Sequence, residues 1–258
     1  MPRDVGDWAQ DKLKILRLYL PGYLQATTKA RERIYIDAFA GPGSNRLKVS
    51  GQIIDGSPLL ALDAEAQNGT KFDRLFFIEQ EPVIARELRG ELEKRDPQHR
   101  AEVIVGDVNR ELPRVVQKLP LRSPTFVFLD TDSIEPQWST IEAIASSRTE
   151  LLVNFPLAMA INRNLDSPKV TAYFGTDDWR PISRSLRTDR TRGLLDLYKN
   201  RLARLGYPHA TEDDRLIRAS RGHHLYYLFL VSKVPAAKNI MTWVLKQPDA
   251  SGQARLNL

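Results

Sequence analysis

The 258 residues contain no cysteine. That excludes disulfide frameworks, thiolate metal sites and cysteine nucleophiles, and it accords with a reducing compartment. Histidine is scarce, with four in the chain, and no spaced His/Asp/Glu cluster is visible, so no metal is expected. The adjacent pair His223-His224 opens a β-rich run. Neighbouring strand residues face opposite ways, so the pair reads as a polar strand entry and not as shared metal ligands. No run of about 18 apolar residues exists, which argues against a membrane span. The opening Met1-Pro2-Arg3-Asp4-Val5-Gly6-Asp7 lacks an apolar run with a small-residue cleavage site, so no secretory signal is read and a cytoplasmic protein is expected. Repeats and low-complexity segments are absent as well. A large excess of either charge is lacking: 38 Lys+Arg against 32 Asp+Glu leave +6, which permits a polyanionic partner without requiring one.

What is present is an alternation of strand and helix. Residues 8–24 form a dense apolar run that predicts a mostly buried helix, ended or kinked after Leu20 by Pro21-Gly22. Six β-rich runs follow, at 33–39, 75–79, 102–106, 125–129, 151–155 and 224–232. The first five are nearly continuous apolar runs, as strands read when both faces of a parallel sheet are covered. Helical patterns lie between them at 57–68, with Ser57 as cap and Pro58 in the first turn, and at 82–95, 110–119 and 138–146. The expected fold is therefore α/β, a Rossmann-like, doubly wound, mostly parallel sheet with an N-terminal helix. Residues 162–214 are polar and arginine-rich, with helices but no clear strand. They read as a helical, basic insertion before the last strands of one domain spanning residues 1–258.

In such sheets ligands bind beyond the carboxyl ends of the strands. The first strand ends Asp37-Ala38-Phe39-Ala40-Gly41-Pro42-Gly43-Ser44, and the next three end at Glu79, Asp107 and Asp130. One acid after a strand is ordinary turn chemistry. Four in succession, with a glycine turn after the first, suit a cationic, hydroxyl-bearing nucleotide. Gly41 and Gly43 let the backbone approach a ligand closely. Glu79 can accept both hydrogen bonds of a ribose diol, and Asp107 can accept from an exocyclic amine on adenine. NAD fits poorly: Arg46 stands where the fingerprint's third glycine belongs, and Glu79 lies 42 residues beyond Asp37, where about 20 is usual. No Gly-Lys-Ser/Thr follows a strand, so a Walker loop is excluded too.

The run Asp37-Ala38-Phe39-Ala40-Gly41-Pro42-Gly43 resembles the first motif of class I S-adenosylmethionine-dependent methyltransferases, especially those acting on nucleic acids. The ordered set Trp8…Lys12-Leu13, residues 35–43, Gly56-Ser57-Pro58-Leu59, Phe77-Ile78-Glu79, Gly106-Asp107-Val108-Asn109, Phe128-Leu129-Asp130 and Trp138-Ser139-Thr140-Ile141 resembles the three-Cys-motif partner family, TcmP, over residues 8–160. The resemblance implies S-adenosylmethionine as cofactor, held by Asp37, Ala38, Phe39, Gly41, Gly43, Ser57, Glu79, Gln80, Asp107, Val108 and Asp130. It also implies a partner protein carrying a three-cysteine motif. The segment between Gly43 and Ser57 is expected to be a loop able to close over cofactor or substrate.

Methyl transfer from a sulfonium needs alignment more than acid–base chemistry. Base-amine methyltransferases resemble one another in an Asp/Asn-Pro-Pro-aromatic run after the fourth strand. Here that run is Asp130-Thr131-Asp132-Ser133. Asp130, Asp132 and, after the fifth strand, Asn154 are the candidate catalytic residues. Asp130 and Asp132 also read as a helix-capping turn, and Phe155 as core or as a stacking face for a flipped base. Residues 180–221 hold ten arginines and Lys199 against five acids, with Trp179, Tyr198 and Tyr207 interleaved. That mixture suits a phosphate backbone with stacked bases, or else a solvated face laced with ion pairs. Arg180, Arg184, Arg187, Arg190 and Arg192 are the nucleic-acid candidates. Two functions remain open: a methyltransferase acting on nucleic acid or on a small molecule, and a non-catalytic module that senses the nucleotide or binds a partner.

Overall fold

A computed structural model of the chain describes residues 2–6, 8–156, 161–211, 215–218 and 224–248. The strands of the main sheet are β2 (Ile34–Asp37), β5 (Arg74–Glu79), β6 (Ala101–Val105), β7 (Thr125–Leu129), β8 (Thr149–Phe155), β10 (Arg215–Arg218) and β11 (His224–Ser232). From edge to edge they run in the order β6-β5-β2-β7-β8-β11-β10. The first five pair in parallel, β11 runs antiparallel to β8, and β10 runs antiparallel to β11. The expected doubly wound, mostly parallel sheet is thus present. Each of the six expected runs falls on a strand, with ends moved by up to two residues.

Alternation along the strands explains why both faces are covered. Phe126 and Phe128 of β7 point to one face, and Val127 and Leu129 to the other; all four are buried. On the first face α1 (Trp8–Ala26), α2 (Ser57–Asp63), α3 (Pro82–Arg95) and α9 (Pro235–Leu245) bury Tyr19, Leu59, Leu88 and Met241. On the second, α4 (Val108–Gln117), α5 (Trp138–Ala145), α6 (Pro168–Phe174), α7 (Trp179–Ser183) and α8 (Arg187–Arg204) bury Leu112, Ile141, Tyr173, Trp179 and Tyr198. A 3-10 turn at Ile161–Arg163 leads into α6.

Several local expectations need correction. Helix α1 passes through Pro21 and ends at Ala26. The missing proline donor costs about 3 kcal/mol in a helix interior. Leu16, Tyr19, Leu20, Tyr23 and Leu24 are all buried around it, and each contributes about 1.5–3 kcal/mol of burial, which outweighs that cost. Gly22 is where α1 presses on α9: a Cβ there would stand 2.8 Å from Cγ2 of Ile240. Helix α2 starts at Ser57 with Gly56 as its cap and stops at Asp63, so Ser57 is not the cap.

The segment expected as a loop between Gly43 and Ser57 is a hairpin of β3 (Ser44–Leu47) and β4 (Ile53–Asp55). It carries β1 (Arg3–Val5) as a third strand parallel to β3. Inside the arginine-rich insertion a two-residue strand, β9 (His209–Ala210), pairs with β11. It was not legible because two residues show no periodicity.

At the amino ends of the strands, Glu150 of β8 is buried and accepts from Ser232 Oγ at 2.9 Å and from the Tyr19 hydroxyl. Burial raises its pKa from 4.5 to about 7, while the hydrogen bonds from Tyr19 and Ser232 oppose the rise. This network ties α1 to β8 and β11.

Candidate functional site

The carboxyl ends of β2, β5, β7 and β8 and the start of β11 surround a cavity of about 710 Å³. That size suits a small molecule or cofactor. Its floor is the turn after β2. Gly41 has φ +66° and Gly43 has φ +88°, both in the left-handed region that a side chain disfavours. A Cβ on Gly41 would meet nothing within 4 Å, whereas one on Gly43 would come within 3.0 Å of Leu88 Cδ1. At Gly43 a side chain would therefore meet a tight contact with Leu88 as well as an unfavourable backbone conformation.

Glu79, the last residue of β5, holds this turn in place. Its Oε2 accepts from the Gly41 amide at 2.9 Å and its Oε1 from the Glu81 amide at 2.9 Å. Each carboxylate oxygen has a second lone pair, so the side chain can still accept from a diol. The base of the hairpin closes on the same turn, with the Gly56 amide donating to the Gly43 carbonyl at 2.6 Å. Asn45 and Lys48 of the hairpin reach the cavity wall.

Asp37 lies beneath the turn and has no solvent exposure. It accepts from the Phe39 amide at 3.2 Å, from the Tyr35 hydroxyl at 3.3 Å and from the Ser57 side chain. Burial raises its pKa from 3.8 to about 7, and the nearby Asp130 charge pushes the same way; the hydrogen bonds from Ser57, Phe39 and Tyr35 oppose them. Asp107 caps α4 by accepting from the Asn109 amide at 2.8 Å. It stands between Gly106 and Val108, which line the cavity. Ala38, Phe39, Gly41, Gly43, Ser57, Glu79, Gln80, Val108 and Asp130 of the expected cofactor set also line it, whereas Asp37 and Asp107 do not.

The side beyond β7 holds the three candidate catalytic residues, and all three line the cavity. Asn154 donates through Nδ2 to Asp130 Oδ1 at 3.0 Å and to the Thr131 carbonyl at 2.8 Å. Two acceptors on one side fix the amide's orientation. Its Oδ1 is buried with no hydrogen-bond partner. Thr131 turns inward and closes the loop on itself, accepting from the Ser133 amide at 3.0 Å. Asp132 is exposed.

Two cations from the N-terminal segment, neither expected as a site residue, meet these acids. Lys12 of α1 pairs with Asp130, with side chains only 10% and 14% exposed. Arg3 of β1 pairs with Asp132 at 2.9 Å, at 57% and 64% exposure. Lys12 was expected near the polar side of α1 but is buried, because it falls on the helical stripe of Leu16, Tyr19 and Tyr23. Arg3 carried no signal, because β1 is too short to show a pattern.

The arginine-rich insertion distributes differently. Trp179, Tyr198 and Tyr207 are fully buried, and Phe155 packs against Tyr198 at 5.4 Å and Tyr173 at 5.9 Å. These rings belong to the core and offer no stacking face. Arg180 is exposed and pairs with Asp177 at 2.8 Å, and Arg192 is exposed and pairs with Asp196 at 3.2 Å. Arg184 is exposed, and Arg190 is half-buried with Nη1 donating to the Ser183 carbonyl at 3.3 Å. The Arg187 side chain lies outside the described residues, as do those of Arg215, Arg218, Arg221 and the His223-His224 pair. Among the described residues no group of three His, Cys, Asp or Glu side chains is placed to hold a metal, and no helix is long and apolar enough to cross a membrane.

No protein-family model matches the chain, and no curated protein matches it in sequence. Solved structures do. The O-methyltransferase TomG from Streptomyces achromogenes, involved in tomaymycin synthesis and solved with S-adenosylmethionine, superposes with a TM-score of 0.51 at 17% identity, over 86% of this chain and 80% of that one. The protein LPL1258 from Legionella pneumophila superposes with a TM-score of 0.53 at 14% identity, over 92% of each chain. At these identities the likeness establishes the fold: a Rossmann-like α/β sheet of the class I methyltransferase type.

Proposed function

We propose that this cavity binds S-adenosylmethionine and that the chain transfers its methyl group to an acceptor at the Asp132–Asn154 side. The observation that carries the reading is one cavity lined jointly by the left-handed glycine turn, Glu79 and Asp130. The residues fit the cofactor. Glu79 is held facing the turn and keeps acceptor capacity for a ribose diol. Gly106 and Val108 bound the adenine side, and Gly41 leaves open space where a side chain would project. Bound S-adenosylmethionine supplies an electrophilic methyl on a sulfonium. The protein's part is to orient and to exclude water: Glu79 fixes the turn, Asn154 and Lys12 fix Asp130, and the β1–β3–β4 sheet walls the cavity.

For the acceptor we favour a nucleic acid, supported by the exposed Arg180, Arg184 and Arg192 and not by aromatic stacking. The likeness of TomG, named as an O-methyltransferase, keeps a small-molecule acceptor in view. Calorimetry with S-adenosylmethionine tests binding, and tritiated-methyl transfer to DNA, RNA, protein and small acceptors tests the reaction. Absence of binding sinks the proposal.

A second reading is a binding module without transfer, assembled with a three-cysteine partner as the TcmP resemblance implies. It is favoured by the ion pairs that occupy Asp130 and Asp132. Binding with no transfer to any acceptor class selects it.

A further inference from the structure

The edge of the sheet opposite the glycine turn holds a second cavity, of about 210 Å³. It lies between α1, the start of β8, the end of β11 and the start of α9, and Tyr19, Tyr23, Glu150 and Ser232 line it. The exposed residues Ala26, Arg148, Val234 and Ala236 bound its outer part, so it opens at the surface. Sites for drug-sized ligands span about 300–1,000 Å³. This one suits a smaller molecule or a single side chain.

Two buried polar groups in it lack what burial requires. Glu150 accepts only from the neutral hydroxyls of Ser232, at 2.9 Å, and Tyr19, and among the described residues no cation pairs with it. The Tyr23 hydroxyl is buried without a hydrogen-bond partner. The two groups act on each other: after burial, the Glu150 charge is the next cause raising the pKa of the Tyr23 phenol. Buried charges are ordinarily paired and buried hydroxyls hydrogen-bonded. Each Glu150 oxygen keeps a spare lone pair, and the Tyr23 oxygen can accept as well as donate. What both lack is a cationic donor.

The nearby cations do not supply it. Lys233 turns its ammonium to the carbonyls of Ala145 and of Ser147, the latter at 2.8 Å. Arg33 is paired with Asp73 at 2.9 Å. Arg148 is exposed, with Nη1 3.5 Å from the Arg122 carbonyl. Exposed charges are screened and buried ones much less so, so Glu150 decides the charge of a ligand that enters. We propose that this cavity is a ligand site for a primary ammonium on a short apolar chain. The ammonium donates to Glu150 and to the Tyr23 hydroxyl, and the chain lies against Pro124, Ala237 and Ile240. A free alkylamine and a lysine side chain of another protein share this chemistry. The site is separate from the cavity at the carboxyl ends and does not depend on what binds there.

Calorimetry on the full chain with n-butylamine, n-butanol and butyrate tests this. At pH 8 n-butylamine should bind about tenfold more tightly than n-butanol or butyrate, because a charge-assisted hydrogen bond is about twice as strong as a neutral one. Its affinity should fall about tenfold from pH 8 to pH 6. With a pKa of about 7 the ionised share of Glu150 drops from about nine-tenths to about one-tenth, while the amine stays protonated. Burial also lowers the pKa of Lys233, which changes the local charge in the same direction. Glu150→Gln therefore assigns the effect: it should weaken n-butylamine about tenfold at pH 8 and remove most of the pH dependence. Tyr23→Phe deletes a hydroxyl with no partner, so the melting temperature of the free protein should hold or rise while n-butylamine binds about threefold more weakly. Nα-acetyl-lysine methylamide separates the two sources: affinity equal to n-butylamine's or higher assigns the site to a protein lysine, and weaker binding assigns it to a free amine. Three results overturn the proposal: n-butylamine binding no better than n-butanol, butyrate binding more tightly than n-butylamine, or wild-type n-butylamine affinity in a folded Glu150→Gln. If Glu150→Gln fails to fold, wild-type affinity in Tyr23→Phe overturns it instead.

Discussion

Substituting asparagine for Asp37 is expected to change how stability depends on pH more than it changes stability at any one pH. Asp37 is fully buried, and its folded pKa is raised from 3.8 to about 7, first by burial and then by the Asp130 charge. The sign follows from linkage. Between about pH 4 and pH 7 the folded state holds a proton that the unfolded state has lost, so stability falls as pH rises through that window and levels off above it. Each tenfold difference in proton affinity is worth about 1.4 kcal/mol. The gap between 3.8 and about 7 therefore corresponds to a decline of about 4 kcal/mol.

Glu150, raised from 4.5 to about 7 by its own burial, declines over nearly the same range. A single stability curve cannot separate the two. The difference between wild type and Asp37→Asn can, because Glu150 is common to both. Urea unfolding at pH 4.5, 6, 7 and 8 should show wild type losing about 3 kcal/mol relative to the variant from the lowest to the highest pH, the part of the decline that lies above pH 4.5. The constant offset between the proteins is not the test, since the asparagine amide must share a site built for an acceptor, with donors arriving from Phe39, Tyr35 and Ser57. Parallel curves, within about 0.5 kcal/mol across the range, would refute the assignment of a proton to Asp37 in the folded protein.

Other substitutions separate the parts of the structure. Gly43→Ala meets both a φ of +88° and Leu88 at 3.0 Å, whereas Gly41→Ala meets only a φ of +66°. The first should cost more than the second, with about 1 kcal/mol for conformation alone, as read from chemical denaturation. Phe155→Ala should destabilise by about 3–5 kcal/mol, because the ring is fully enclosed by Tyr173, Phe174, Tyr198 and Phe229. A loss below about 1 kcal/mol would mean that Phe155 is not core. Tyr19→Phe removes one donor from Glu150 and should cost about 1–3 kcal/mol. Thermal melts should show a larger loss at pH 8, where the carboxylate is ionised, than at pH 5. If nucleic acid is the acceptor, Arg180→Ala/Arg184→Ala/Arg192→Ala should lower the affinity for a DNA or RNA oligomer and flatten its salt dependence, and unchanged binding in a filter assay would exclude this face.

Much of the fold was legible because buried parallel strands leave contiguous apolar runs, and β2, β5, β7 and β8 are runs of that kind. Much of the candidate site was legible for a related reason. A doubly wound sheet gathers its strand ends on one edge, so acids far apart in sequence, such as Glu79 and Asp130, become neighbours around one cavity. Two kinds of feature escaped. Short polar strands carry no period, and Ser44-Asn45-Arg46-Leu47 reads as a loop until it is seen paired with β1 and β4. Where arginines and aromatics mix, helical periodicity and not composition marks the buried residues. Leu194, Leu195, Tyr198 and Leu202 lie at helical spacing on α8 and are all buried. Tyr198 therefore belonged with the leucines beside it and not with the arginines.

Lys12 is the converse case, a charged residue on a helical stripe of Leu16, Tyr19 and Tyr23. Both exceptions follow from one physical rule. A side chain's place on a periodic face decides whether it is buried, and its chemistry then decides what burial requires. For Tyr198 burial requires packing, which Phe155, Tyr173 and Trp138 provide. For Lys12 burial requires a counter-charge, and Asp130 at the end of β7 provides it. A lysine on an apolar helical stripe must either reach water with its ammonium or meet an acid, and Lys12, 10% exposed, meets Asp130. That is why α1, lying outside the strand–helix alternation, points to the cavity as directly as the glycine turn does.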